Sequence, residues 1–337
     1  MRTKWFIVLA VLLAIPCLAK VSVREYALPA VQGVPFRPIV CGDWALALLN
    51  TNPNNISSTI GVIAYDLRGK QVLTVHKGKA NYPAITGSVA MWSGKIDDVP
   101  GLSGTVGKRG TWPSCLILYD MSTGQYSAPV LKTNSAFVIA ASGKYVAYEL
   151  GCRMNLYDIN TGAQKRISDD QARHRNPDIG GDLVVWQEYD SAFKNSRIRG
   201  YRISTGEELL FTDSFRTIGA PNTDGQYVAW WDNTSGSSIH DTKTGRARVI
   251  KSATLADVSG GFAVYVKSVC ACTADQKASK RTLFGMDLKT GQEFQISKGE
   301  PDRHVRIEGN RVVWVEGSVL HYADLTRTTN ELKLSNK

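Results

Sequence analysis

The chain is 337 residues long, with 43% hydrophobic, 21% charged and 9% aromatic residues, 30 glycines and 12 prolines. Apolar content at this level excludes a disordered polypeptide, and the lack of any long apolar run beyond the first twenty residues excludes a polytopic membrane protein. Lysine and arginine exceed aspartate and glutamate by 40 − 30 = 10, a basic balance that bears on partners and not on fold.

The first element in chain order is a targeting signal. Met1 to Lys4 is a short cationic start, Trp5 to Ile15 is almost wholly apolar, and Pro16-Cys17-Leu18-Ala19 offers small residues for cleavage after Ala19. This pattern predicts a secretory signal over 1–19 and a mature domain over 20–337, exported to the periplasm or the cell exterior, with no membrane span in the mature chain. A membrane anchor calls for a longer apolar stretch. A lipid on Cys17 calls for a leucine and a small neighbour that Ala14-Ile15-Pro16 does not supply. Loss of Arg2 and Lys4 leaves the mature chain at +10 − 2 = +8. Five cysteines survive cleavage, Cys41, Cys115, Cys152, Cys270 and Cys272. In an oxidising compartment an odd number leaves at least one thiol unpaired, and the pairing stays open. Cys270-Ala-Cys272, without a second pair or a nearby His, is a weak metal motif.

From residue 36 onward one pattern recurs seven times. A glycine is followed five residues later by an aromatic in Gly87/Trp92, Gly143/Tyr148, Gly181/Trp186, Gly225/Trp230, Gly260/Tyr265 and Gly309/Trp314; Gly42 keeps the pattern with Ala47. A second anchor follows each first one, as in Tyr65-Asp-Leu, Tyr119-Asp-Met, Tyr157-Asp-Ile and Met286-Asp-Leu. Its Asp positions, 66, 120, 158, 202 (Arg here), 241, 287 and 324, lie 37 to 54 residues apart. Each unit reads as four short strands: a Pro-x-Ile lead-in to Gly, a Val/Trp strand, a Tyr-Asp-Leu strand, and a last strand after an Asp-x-x-Thr-Gly turn. Glycine supplies positive φ for the first turn, and an Asp oxygen can accept backbone N–H groups in the second. Four antiparallel strands per period of this length predict an all-β, seven-bladed β-propeller, with repeats starting near 36, 81, 135, 175, 218, 254 and 304. The tryptophans, Val triplets and turn residues are then packing residues. Arg24 to Leu28 is expected to close the ring by pairing with the last blade, removing an exposed edge, although 329–334 competes for that place.

The unit Tyr-Asp-Leu-x-Thr-Gly … Pro-x-Ile-x-Gly-x-x-Val-x-Trp resembles the propeller repeats of the TolB-like and surface-layer-type families. The resemblance covers about Phe36 to Leu334 and implies an exported bacterial or archaeal propeller. It implies no particular activity, since related propellers serve as scaffolds, binding proteins or enzymes.

From Gly to the Asp position the seven repeats span 24, 33, 15, 21, 16, 27 and 15 residues. Every insertion falls between the second and third strands, on the face from which the innermost strands are entered. The elaboration clusters on blades six, one and two, which form an arc through plain blade seven. One-sided insertions mark a binding side. Residues just before the innermost strands are Arg37, Asn81, Ser135, Arg175, Ile218, Thr254 and His304, with Lys79, His174 and Arg303 upstream. Arg37, Lys79, Asn81, His174, Arg175, Arg303 and His304 are therefore the candidate ligand-binding set. Their basic, His-bearing character points to an anionic small molecule, an acidic glycan or the acidic terminus of a protein partner.

Tests for enzymes mostly fail. The sequence has no G-x-S-x-G elbow, no H-E-x-x-H, no P-loop and no dinucleotide fingerprint, and two mouth histidines without carboxylates make a weak metal site. No cofactor, metal or catalytic residue is assigned. The basic residues are spread without an RNA-type aromatic motif, which with export argues against nucleic acid. The expected function is a non-catalytic, monomeric exported scaffold that binds on its elaborated face. The alternative is a glycan-active enzyme, an acidic-sugar lyase or hydrolase, working at the same mouth.

Overall fold

The computed structural model describes residues 20–51, 59–102, 114–132, 138–168, 172–270, 279–302 and 304–328. The signal segment, Ser135, Cys272, Arg303 and 329–334 lie outside the described residues. The described chain folds into seven four-stranded antiparallel sheets, so the expected seven-bladed β-propeller is the fold.

In chain order the innermost strands are Val34–Cys41, Ala80–Thr86, Ile139–Ser142, Arg173–Gly180, Asn222–Thr223, Ala253–Ser259 and Arg306–Glu308. Each touches the innermost strand of the next blade, and the seventh touches the first, which closes a ring around a central cavity.

The recurring aromatic sits in the second strand of its blade, where both sheet faces are covered by neighbouring blades. Trp92, Trp314 and Tyr265 are fully buried and Tyr148 and Trp186 nearly so, joined by valines such as Val184, Val264 and Val312. These positions are the core that holds sheet on sheet.

All seven turn glycines have positive φ, between 52° and 94°. Space divides them. A Cβ on Gly87 would meet nothing, whereas a Cβ on Gly260 would lie 2.1 Å from the Gly309 carbonyl oxygen of the next blade. The second turn works as its sequence suggests: Asp66 Oδ1 accepts from the Arg68 and Gly69 N–H groups, and Asp158 Oδ1 from those of Asn160 and Thr161. Repeat four has Arg202 at this position. Asp182, from the preceding turn, takes over by accepting from the Ser204 N–H at 2.8 Å.

Closure is made by the N-terminal strand. Lys20–Ala27 pairs antiparallel with Val319–Thr328 over eight residues, from Lys20 opposite Thr328 to Ala27 opposite His321. Tyr26 stacks on Tyr322 with centroids 4.6 Å apart, and Val21 is buried in the core that joins blades six and seven. The ring is thus fastened by the first and last described strands pairing in one sheet.

Removing residues 20–27 is expected to lower the calorimetric melting temperature markedly, because it exposes the edge of blade seven; an unchanged value would refute closure by this strand. Gly87→Ala is expected to cost about 1 kcal/mol through its positive φ alone. Gly260→Ala adds about 1–3 kcal/mol of overpacking against Gly309. Denaturant titration of the two variants measures the difference.

Candidate functional site

The central cavity encloses about 540 Å³ and is lined by the seven innermost strands. The turn glycine gives the right register for these strands. Counting back five residues reaches Arg37, Tyr82, Val138, Asn176, Ala220 and His304, all of which line the cavity at its mouth. Counting back three gives a middle layer of Ile39, Ala84, Ala140, Asp178, Asn222, Asp257 and Arg306. Counting back one gives a floor that includes Cys41, Thr86, Ser142, Asp224, Ser259 and Glu308.

The ring read from the sequence is shifted against this register. Of its residues, Arg37 and His304 line the mouth. Asn81 is half-buried and Lys79 exposed, and neither lines the cavity, where Tyr82 stands instead. Arg175 gives way to Asn176 in the same manner, and Arg303 is outside the described residues. His174 is 1% exposed and sits inside blade four, where the Trp186 Nε1–H donates to its Nδ1 at 2.9 Å. The physical reason is a β-bulge. The ladders of blades one, two and four shift register between Phe36 and Ile39, Asn81 and Ala84, and Arg175 and Asp178. In each bulge the residue before proline has positive φ: Arg37 at 48°, Tyr82 at 49° and Asn176 at 52°. The Pro-x-Ile lead-in is therefore the bulge itself, and it re-aims the preceding side chain towards the mouth. Strand alternation separately turns His174 inward between outward-facing Arg173 and Arg175.

The mouth is built as a cation and aromatic cluster. The Arg37 guanidinium carbon lies 4.9 Å from the Tyr82 ring centroid and 5.5 Å from that of Phe36. Phe36 meets His304 edge-on with centroids 4.9 Å apart, and His304 Nδ1 is 3.4 Å from Asp302 Oδ2. These residues come from blades seven, one and two, and blades one and two carry two of the three longest insertions in the sequence. Residues 52–58, 103–113 and 271–278 of those insertions, with Lys108, Arg109 and Trp112, lie outside the described residues.

The middle layer, which sequence reasoning missed, is divided. Blades one to three contribute Ile39, Ala84 and Ala140; blades four to seven contribute Asp178, Asn222, Asp257 and Arg306. The Arg306 Nη1–H donates to Asn222 Oδ1 at 2.7 Å, spanning from blade seven to blade five, and Arg306 Nη1 is 4.0 Å from Asp257 Oδ2. Both aspartates also serve the next blade: Asp178 accepts from the Thr223 N–H at 2.7 Å and Asp257 from the Ile307 N–H at 2.9 Å. Burial pushes Asp178 up to about 7; Arg306 pulls it back and Asp257 raises it further. Burial likewise raises Asp257 and Asp224. Asp178 is thus a carboxyl able to take or give a proton near neutrality inside the cavity. The signal for this layer was present in the sequence as Asp, Asn, Asp and Arg three residues before successive turn glycines.

On the floor, the Cys41 thiol is pushed up to about 12 by burial and by the Glu308 carboxylate beside it, which leaves it protonated and unreactive. Cys41 and Cys152 carry free thiols. Among the described residues no group of three or more His, Cys, Asp or Glu side chains is placed to hold a metal ion. No helix among them is long and apolar enough to cross a membrane.

No family model matches the chain, and no curated protein matches its sequence. Similarity is found with solved structures. The β-propeller domain of the Trilobed protease from Pyrococcus furiosus aligns over 91% of this chain and 99% of its own, at 11% identity and a TM-score of 0.59. The acylaminoacyl peptidase of Pyrococcus horikoshii aligns over 85% of this chain and 49% of its own, at 11% identity and 0.57. The computationally designed Ika8 protein aligns over 88% and 98%, at 14% and 0.52. The Trilobed domain is described as an open velcro, whereas here the N-terminal strand closes the last blade. At these identities the shared property is the propeller fold, and the TolB-like resemblance of the repeat rests on the sequence motif.

A carboxyl held at about 7 when folded and about 4 when unfolded binds its proton more tightly in the folded state. Stability should therefore fall as pH rises from about 4 to about 7 and level off above that. Asp178→Asn keeps an oxygen for the Thr223 N–H and is expected to remove this decline, which amounts to about 4 kcal/mol at most. Urea unfolding of both proteins across this pH range is the check; parallel profiles would show that Asp178 does not titrate there.

Proposed function

We propose that the chain is an exported, non-catalytic propeller that binds an anionic ligand at the cavity mouth beneath its long second-to-third-strand connections. The observation that carries this reading is the cluster of Phe36, Arg37, Tyr82 and His304. A guanidinium stacked between two rings is ordered before a ligand arrives, a contact of about 0.5–1 kcal/mol at an exposed site. Its N–H edge stays available for a bidentate oxyanion. The ligand class that fits is a carboxylate-bearing small molecule or glycan. A protein partner presenting an acidic terminus is the same chemistry on a larger body. Export rests on the signal-like residues 1–19, and a monomer is the expected state.

A glycan-active enzyme is the second reading, and Asp178 is the observation in its favour. A carboxyl held near neutrality beside a second carboxyl and an arginine has the character of a general acid or base.

Both readings are tested by titrating purified protein with acidic oligosaccharides in a calorimeter while products are followed by chromatography. Binding without turnover is expected, with affinity reduced about tenfold to a hundredfold in Arg37→Ala/His304→Ala through loss of charge-assisted hydrogen bonds. Turnover that disappears in Asp178→Asn would overturn the scaffold reading in favour of the enzyme.

A further inference from the structure

Arg175 lies outside the cavity lining. Strand alternation sends Arg173 and Arg175 out of blade four on either side of buried His174. Both guanidinium groups stack on one ring: their central carbons lie 4.3 Å and 5.1 Å from the Phe193 centroid. The Tyr189 ring packs on the same phenylalanine with centroids 5.2 Å apart. Phe193 lies in the connection between the second and third strands of the blade, so the group is on the same face as the cavity mouth.

The loop holds this ring at a cost. Phe193 has φ of 58°, a left-handed conformation that bulky side chains rarely adopt. Its surroundings enforce it. The Asp190 carboxylate accepts from the Lys194 and Asn195 N–H groups and from Asn195 Nδ2, and the Phe193 N–H donates to the Asp190 carbonyl. Thr217, beyond the end of the blade, donates its hydroxyl to Asn195 Oδ1. Strain enforced in this way clusters at ligand sites.

Among the described residues, Arg173 has no ion-pair partner, while Arg175, whose side chain is 48% exposed, pairs with the largely buried Glu149 at 3.6 Å and hydrogen-bonds Cys152. Arg197 and Arg199 both pair with buried Glu188.

We infer that Arg173, Arg175 and Phe193 form a second anion site on this face, which takes a carboxylate, sulfate or phosphate ester group carried on an acidic oligosaccharide. The inference rests on the proposed binding role of the mouth and extends it to a chain long enough to reach both places. Two fixed anion sites on a rigid face favour a ligand whose acidic groups repeat along a stiff backbone. A flexible acidic peptide loses more freedom on being ordered there. Sugar rings also have apolar faces that suit the half-buried aromatic pair of Tyr189 and Phe193.

The test compares a short and a long oligogalacturonide, a long sulfated oligosaccharide and polyglutamate, titrated against the parent protein, Arg37→Ala, Arg173→Ala/Arg175→Ala and Phe193→Gly. Phe193→Gly removes the platform but suits a left-handed backbone, so its melting temperature should equal or exceed that of the parent. Affinity for a long chain, uronate or sulfated, should fall about tenfold in Phe193→Gly and in the double arginine variant, with short-chain affinity unchanged. Arg37→Ala should weaken both lengths. Unchanged long-chain affinity in Phe193→Gly, with loss in Arg37→Ala, overturns the second site and leaves the mouth standing. No binding of any acidic oligosaccharide to the parent removes both, and binding of polyglutamate alone overturns the saccharide assignment.

Discussion

Each innermost strand of this ring has a sheet partner on one side only, and the edge that faces the cavity carries backbone N–H groups with no strand to accept them. An unpaired buried N–H costs free energy comparable to a lost hydrogen bond. At five of the seven blade junctions the described residues meet the constraint with a side-chain acceptor lent by one blade to the next. Cys41 Sγ accepts from the Gly87 N–H, Ser142 from Gly181, Ser259 from Gly309, and Glu308 from Gly42 where the ring closes. Two residues higher, Asp178 and Asp257 do the same for Thr223 and Ile307. At these junctions the innermost strands are joined by a relay of side chains running in one direction around the channel.

That relay explains the chemistry of the cavity. A position that must present an acceptor to the next blade admits Ser, Thr, Cys, Asp or Glu, and a carboxylate placed there is buried by the same geometry that makes it useful. Asp178 and Asp257 are raised because they are enclosed, and the Arg306 guanidinium acts on them both. Structural service to the ring and a proton held near neutrality are two outcomes of one placement. At the mouth a different device operates. Bulges before Pro38, Pro83 and Pro177 put Arg37, Tyr82 and Asn176 into left-handed backbone, so the strand begins out of step and turns those side chains inward. The cationic and aromatic mouth is a product of that mismatch.

Blade four shows how local rules survive substitution. Where Arg202 replaces the usual turn aspartate, Asp182 caps the turn from the facing hairpin, since the N–H groups need an acceptor and are indifferent to its place in the chain. In the same blade the sequence Arg173-His174-Arg175 divides by alternation into one buried imidazole bonded to Trp186 and two guanidinium groups stacked on Phe193.

The sequence alone determined the architecture. A glycine and an aromatic five residues apart, repeated seven times, encode a turn with positive φ and a buried strand, both local requirements that hold whatever surrounds them. It also made legible the turn aspartates, the face carrying the insertions, and closure by the N-terminal strand. What only the tertiary structure decided was which side chains share the cavity. A bulge moves the facing residue by one position, and a one-residue step in a strand exchanges the two sides of the sheet. Arg37 and His304 stay at the mouth, His174 goes to the interior, and Arg175 goes to a separate platform. The Asp178, Asn222, Asp257 and Arg306 layer is likewise assembled from four successive blades whose innermost strands the propeller sets around one cavity.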